Sequence, residues 1–372
     1  MTRIASAEFR CLFGARCVNF VLCVVGLAGL LLGASLLAQE GAKAGDEPVP
    51  TLHVYANLIQ VPTLVLESSR KRMSQPIAEN RFLVSIDNGR WFPATHVRQE
   101  GDDPISLSIL LDVSGETVEF MPEINEAIAG LAPTSLHPKD HISIYALDCS
   151  LVKSLTDVPA ESEAMRIGVN EALLSWKDRM RSHEERCEQS VHLWDALALL
   201  SGELSKLPGR RVILAVTNGH DLGSDSKWNE VRGLAEARGV AVFGLSYVPR
   251  YARDAKKTLL SWSSEDPFHN ICELSGGVVL LANTRLLGEA LTQFVAMLRE
   301  RYIVEFPRPA KATPGEHVKE IRIVNGSKYF IRPAGVSVPI PDAAVLADPT
   351  TVPSDPTHTP EMGTRKVMTK PK

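Results

Sequence analysis

Between residues 105 and 299, short apolar runs alternate with longer segments whose apolar residues recur at helical spacing. Nothing else in the chain restricts the fold as strongly. The runs are 105–111, 141–147, 212–216, 240–245 and 278–281. Each is too short for a helix and too uniformly apolar for a strand with one wet face, so each reads as a strand buried on both sides. The intervening segments 120–131, 161–178, 191–207, 227–238 and 286–299 read as helices, with Pro208-Gly209 and Gly239 as stop signals. Residues 151–155 read as a short edge strand. This alternation predicts an α/β domain over 104–299, with a doubly wound, mostly parallel sheet and helices on both faces.

The flanks follow a β pattern. Residues 81–86 alternate into Asp87-Asn88-Gly89, a turn signal that returns through 91–97. Residues 301–306, 317–324 and 328–332 repeat the pattern after the α/β region, with Asn325-Gly326 as a second hairpin turn. Neither flank can hold a large core unaided, so 51–99 and 300–337 are expected to pack as one discontinuous β unit. From 338 to 372, Pro, Thr, Asp and Lys dominate, which predicts a disordered tail.

The amino terminus bounds the compartment. Arg3, Arg10 and Arg16 precede the apolar run 18–37, which is followed by Ala38. A basic start, an apolar centre and small residues beyond describe an export signal within 1–44. The run is also long enough to act as an uncleaved anchor. Both readings place the body outside the cytoplasm: periplasmic, secreted, or anchored to the membrane and facing outward. The membrane is then touched only through that segment. A formal charge of −4 without a basic cluster gives no footprint for nucleic acid.

Chemistry concentrates where strands end. Asp112, Ser114 and Glu116 follow the first buried strand. In an open α/β sheet, ligands bind at the carboxyl ends of the strands. A carboxylate and a hydroxyl two residues apart could share a hard cation there, or could cap the next helix. Two more segments reach the same edge: Ser190-Val191-His192-Leu193-Trp194-Asp195 and Thr217-Asn218-Gly219. A hydrolase reading of Ser190, His192 and Asp195 fails on spacing, because neighbours on one helical turn do not align nucleophile, base and orienter. No G-x-S-x-G, H-E-x-x-H or Walker sequence occurs.

With these three segments in place, the chain resembles the von Willebrand factor type A fold, and specifically the bacterial exported VWFA-related domain proteins. The likeness spans most of residues 50–335, including 274–277 (Leu-Ser-Gly-Gly) and 300–304 (Glu-Arg-Tyr-Ile-Val). It implies a metal-ion-dependent adhesion site built from D-x-S-x-S, a Thr of the second loop and an Asp after the third buried strand. Asp112 and Ser114 match that pattern. Glu116 stands at the second Ser, Val191 at the Thr and Asn218 at the Asp. The implied site is degenerate. Asp112, Ser114, Glu116 and Asn218 are its candidate ligands, and Mg²⁺ or Ca²⁺ is expected to bind weakly or not at all. Cys149 and Cys187 would both lie on the upper rim of such a fold, as a disulfide or as two thiols, whereas Cys272 reads as a small buried hydrophobe. The expected function is non-enzymatic: an exported protein-binding, adhesion or scaffolding module that uses its top face on an unknown protein or envelope component. The alternatives are an envelope hydrolase or hydrolase-associated subunit, and a rigid spacer.

Overall fold

The computed structural model describes residues 58–148, 150–182, 192–248, 266–309, 313, 315–325, 329–334, 337–338, 343, 347 and 361–363. All belong to the unit His53–Lys372. The leader, Cys149, Cys187, Ser190, Val191 and Gly326 lie outside the described residues. Among those that are described, no helix is long and apolar enough to cross a membrane.

In chain order the first strands are β1 (Leu58–Glu67), β2 (Phe82–Ile86), β3 (Phe92–Pro93), β4 (His96–Gln99), β5 (Ile105–Asp112), β6 (His141–Leu147) and β7 (Leu151–Pro159). They are followed by β8 (Arg210–Val216), β9 (Val240–Tyr247), β10 (Val279–Ala282), β11 (Tyr302–Pro307), β12 (Gly315–Glu316), β13 (Lys319–Ile323), β14 (Tyr329–Pro333) and β15 (Ser337–Val338). The helices are α1 (Met121–Ala129), α2 (Ser162–Ala172), α3 (Leu174–Ser182), α4 (Leu193–Leu204), α5 (Trp228–Arg238), α6 (Pro267–Leu274) and α7 (Leu287–Arg299).

Among the described residues the central sheet has six strands in the order β10-β9-β8-β5-β6-β7. All its pairings are parallel except β6 with β7. Counted from β5, this is the doubly wound order, and the winding reverses between β5 and β8. Every residue of β5 is buried, because alternate side chains serve opposite layers. Ile105, Leu107, Ile109 and Leu111 join Ile124 of α1, Met165 of α2 and Phe294 of α7. Leu110 joins Leu197 of α4, Val231 of α5 and Phe268 of α6. Cys272 is fully buried in this second layer, as expected, and burial pushes its thiol pKa well above the ordinary value.

Outside this domain, β1 pairs with β11 and β14, β4 joins the far side of β11, and β2 pairs with β3 and β13. β1 serves two cores because its side chains alternate. Leu64 and Leu66 enter the α/β core, while Val61 and Val65 face Phe82, Val84 and Ile321 in the β unit.

Four local expectations change. The helix expected over 161–178 breaks at Leu173 (φ −93°, ψ 7°) into α2 and α3. After the break, Ser175 and Arg179 reach the buried Asp148, with Ser175 Oγ donating at 2.5 Å and Arg179 Nη1 at 2.6 Å. The strand expected over 91–97 divides, because Pro93 has no N–H to extend the ladder. Ala94 N still donates to Phe82 O, but Thr95 N donates to Glu305 O and carries the chain into the other sheet. The arms around Asn325 do not pair with each other, since β13 joins β2 and β14 joins β1. The stretch from 338 onward is not uniformly without structure: β15 pairs with β12, and Met362 bridges Ile86.

The chain crosses between the β unit and the α/β domain twice, at 100–104 and at 299–301. Glu100 N donates to Arg301 O and Gly101 N to Arg299 O, both at 2.8 Å. Arg301 and Glu100, only 2% and 3% exposed, pair at 3.0 Å. Arg299 pairs with the fully buried Asp140, which also accepts the amides of Ile105 at 3.0 Å and His137 at 2.8 Å. Removing one member of a buried pair strands the other charge, at a cost of about 3–5 kcal/mol. Asp140→Ala is therefore expected to lower the unfolding free energy by about 3–5 kcal/mol in urea denaturation. A loss below about 1 kcal/mol, the range of an exposed pair, would remove this crossing as a stabilising joint.

Candidate functional site

Asp112 ends β5 and Thr217 follows β8, so the two flank the point where the winding reverses. The register Leu111↔Val216 brings them side by side. Thr217 Oγ1 donates to Asp112 Oδ2 at 2.6 Å. On the other oxygen, Asp112 Oδ1 accepts the Ser114 amide at 2.9 Å and Ser114 Oγ at 2.5 Å. Thr117 Oγ1 donates to the main-chain oxygens of Asp112 and Ser114, both at 2.8 Å, which tightens the turn into the short helical segment Gly115–Phe120. Asp112 and Thr217 are buried. Burial pushes the Asp112 carboxyl above its ordinary pKa, against the opposing pull of Ser114, Thr217 and the nearby His220.

The third loop is built around its own contacts. Gly219 has φ +80°, and a Cβ there would lie 2.6 Å from the Cβ of Phe268, so the tight turn needs glycine. Asn218 Oδ1 accepts the Tyr247 amide at 3.0 Å, which ties the loop to β9. Asp221 Oδ1 accepts the Trp194 amide at 3.1 Å and so caps the first turn of α4 from another loop. Asp195 returns the clasp, accepting the amides of Asp225 at 3.0 Å and Ser226 at 2.9 Å. Its burial raises the pKa, but the hydrogen bonds from Ser226, Asp225 and His192 outweigh this and bring it below the ordinary value. His192 Nδ1 lies 3.4 Å from Asp195 Oδ2. Asp195 is thus occupied as a loop anchor, and Ser190 lies outside the described residues.

The candidate metal ligands can be weighed against what a divalent cation requires, about six oxygens. A carboxylate has about four lone-pair sites, and three of those on Asp112 already accept protein donors. Ser114 Oγ stands beside it, but Asn218 has turned its oxygen onto β9. The side chain of Glu116, and all of Val191, lie outside the described residues. Among the described residues, no group of three His, Cys, Asp or Glu side chains is placed to hold a metal. Among the described residues, Asp112, Ser114 and Asn218 supply fewer oxygens than a cation's shell requires. Two hydroxyls and one amide donate to the Asp112 carboxylate.

Beside this cluster, a cavity of about 270 Å³ opens between β6, β7 and α4. Leu147, Leu151, Ala196 and Leu199 give it an apolar wall, and His192 and Asp195 also line it. Leu199 is 49% exposed, and Leu222 in the third loop 62%. Sequence reasoning assigns no role to Thr217 or Asp221. The usable signal for Thr217 was its position one residue past a buried strand adjacent to β5.

No family model matches this chain, and neither does any curated protein. Among solved structures, it is similar to a conserved hypothetical protein, BatB, from Bacteroides thetaiotaomicron, at 14% identity and a TM-score of 0.36, covering 52% of this chain and 98% of that one. It is also similar to a von Willebrand factor type A structure from Catenulispora acidiphila, at 12% identity and a TM-score of 0.39, covering 63% and 52%. A third is the manganese-loaded TRAP protein of Plasmodium vivax, at 13% identity and a TM-score of 0.33, covering 64% and 96%.

The raised pKa of Asp112 fixes the sign of a pH effect. A carboxyl whose folded pKa exceeds its unfolded value of about 3.9 stabilises the fold fully below that value and loses the contribution as pH rises through the folded pKa. Asp112→Asn keeps an acceptor for Ser114 and carries no charge. Its stability relative to the parent is expected to improve as pH rises above about 4, measured by urea denaturation across pH. A difference that stays flat with pH would show that Asp112 titrates normally.

Proposed function

We propose that this chain is an exported, non-enzymatic binding or scaffolding module of the von Willebrand factor type A class, engaging another protein or an envelope component through the carboxyl end of its central sheet without a bound cation. The observation that carries the reading is the cavity at that end, whose apolar wall includes the exposed Leu199 and which lies beside the buried Asp112, already accepting three hydrogen bonds. Exposed leucines beside a preformed apolar recess favour association with a protein surface. The leader sequence supports export, and the engaged carboxylates of Asp112 and Asp195 support a binding role over acid–base chemistry. Asp112 acts here as a buckle that holds the first and third loops at fixed spacing.

Capture of partners from envelope extracts, with and without EDTA, tests both halves of this reading. The same partners are expected in both samples, and Leu199→Asp is expected to lose them. Calorimetric titration with magnesium is expected to give no binding heat. Capture abolished by EDTA, or heat that disappears in Asp112→Ala, would establish a cation-dependent site instead. Capture unchanged by Leu199→Asp would move the binding surface away from this cavity.

A further inference from the structure

After β15 the chain returns to the β unit at 361–363. β3 pairs only with Leu83 and Val84 of β2 and stops at Pro93, so Ile86 lies beyond its reach. The segment 361–363 takes that place: Met362 forms a parallel bridge with Ile86, and Gly363 N donates to Ile86 O at 3.1 Å. Met362 packs, partly buried, against the core that holds Phe82, Val84 and Ile86. The two backbones cross too closely for a side chain on either one. A Cβ on Gly89 would collide with Glu361 O and stand 2.9 Å from Gly363 N, and one on Gly363 would collide with Asp87 O and stand 2.5 Å from Gly89 N. Neither glycine has a left-handed φ, so the crossing itself, not the turn, calls for glycine on both chains.

The turn beneath this crossing is fixed by its own contacts. Asp87 and Asn88 have φ of +50° and +60°, and Gly89 N closes the turn onto Ile86 O at 2.9 Å. The Asp87 carboxylate accepts the Val318 amide at 3.0 Å and lies 2.6 Å from His317 Nδ1, while Ser85 Oγ donates to Gly89 O at 2.9 Å. The segment above is held far less firmly. Besides Met362 and the Gly363 amide, it has an Arg90–Glu361 pair at 3.7 Å whose side chains are 87% and 72% exposed, and such a pair contributes little. A segment with so few buried contacts opens locally, ahead of the elements it rests on.

We propose that 361–363 is a releasable strap: the chain's own Glu-Met-Gly segment docks in a preformed site at 86–89, closes the end of the β2 edge, and leaves it while the rest of the β unit stays folded. Glycine at the crossing and an unbranched apolar side chain one residue before it are what the site selects, the flexible Met362 filling the irregular gap beside Ile86. Docked, the strap covers the Ile86 carbonyl and the adjoining core. Released, it opens both.

Hydrogen exchange on the full chain, together with a labelled peptide, tests this. The Gly363 amide is expected to exchange by local opening, at a rate that mild urea leaves unchanged, while the amides of the β2 ladder exchange only through larger openings that urea promotes. Gly89→Ala is expected to remove the protection of the Gly363 amide. A fluorescein-labelled peptide spanning 357–367 is expected to bind the Gly363→Ala chain, whose own strap no longer fits, at least about tenfold more tightly than the parent, where the tethered segment already fills the site. The same peptide carrying Gly363→Ala is expected to bind neither chain. If Gly89→Ala does not fold, Gly363→Ala, which lies outside the turn, decides alone. Equal binding to the parent and to Gly363→Ala, equal binding of the two peptides, or Gly363 exchange that rises with urea in step with the β2 amides would each overturn the proposal. A concentration-dependent dimer that Gly363→Ala abolishes would overturn it too, by placing the strap on a second copy.

Discussion

The buried charges at the two crossings are the constraint on which the remaining architecture depends. The chain passes between the β unit, assembled from both flanks, and the α/β domain at 100–104 and 299–301. Hydrophobic contact across β1 holds the two together but does not fix their register, because it is non-directional. The Glu100–Arg301 and Asp140–Arg299 pairs are directional, and burial makes any other arrangement costly. Arg299 also donates to the carbonyl of Asp103 at 3.0 Å, and Arg210 at the start of β8 reaches the Asp103 carboxylate at 3.0 Å. One cluster therefore ties the incoming and outgoing crossings to the amino ends of β5, β6 and β8.

The opposite end of the same sheet is organised differently. There Asp112 is met by hydroxyls and an amide, so its charge is dispersed over neutral donors. Such a site is rigid and shares its carboxylate among two loops. It has little left to offer an incoming ligand. Neighbouring carboxylates follow the same economy, with Asp221 capping α4 and Asp195 closing the third loop. Polar groups at this end thus set the positions of the loops, and Leu199 and Leu222 are exposed beside them.

Much of this was legible in the sequence, where one physical rule acts alone. The buried strands of the central sheet read directly, because each is a short, mostly apolar run bounded by turn residues, and Asp112 stands where such a run stops. Elements set by a distant partner did not read. Nothing around Leu173 announces a break, since the break follows from Asp148, far away in sequence, drawing in Ser175 and Arg179. Helix α6 carried a visible signal, because Asp266 before Pro267 accepts the amides of Phe268 and His269 as an N-cap. At the candidate site the residue types were readable, but the use of Asn218 was not: only the fold brings the Tyr247 amide within reach of its oxygen.

The divergence of β13 from β14 belongs to the same class, and it has a consequence for the sheet edges. A turn signal at Asn325-Gly326 favours pairing of the two arms. Each arm instead completes a different sheet, because Ile321 fills the core beneath β2 while β14 covers β1. Other edges in the molecule are guarded in recognised ways. β7 is bulged against β6, carries Lys153 and ends at Pro159, with Asp157 at φ +49°. β10 is only four residues long. β14 ends at Pro333 and has Arg332 folded over its outward carbonyl. β13 carries Lys319, Glu320 and Arg322 around the buried Ile321, so a run of charges guards this edge as well.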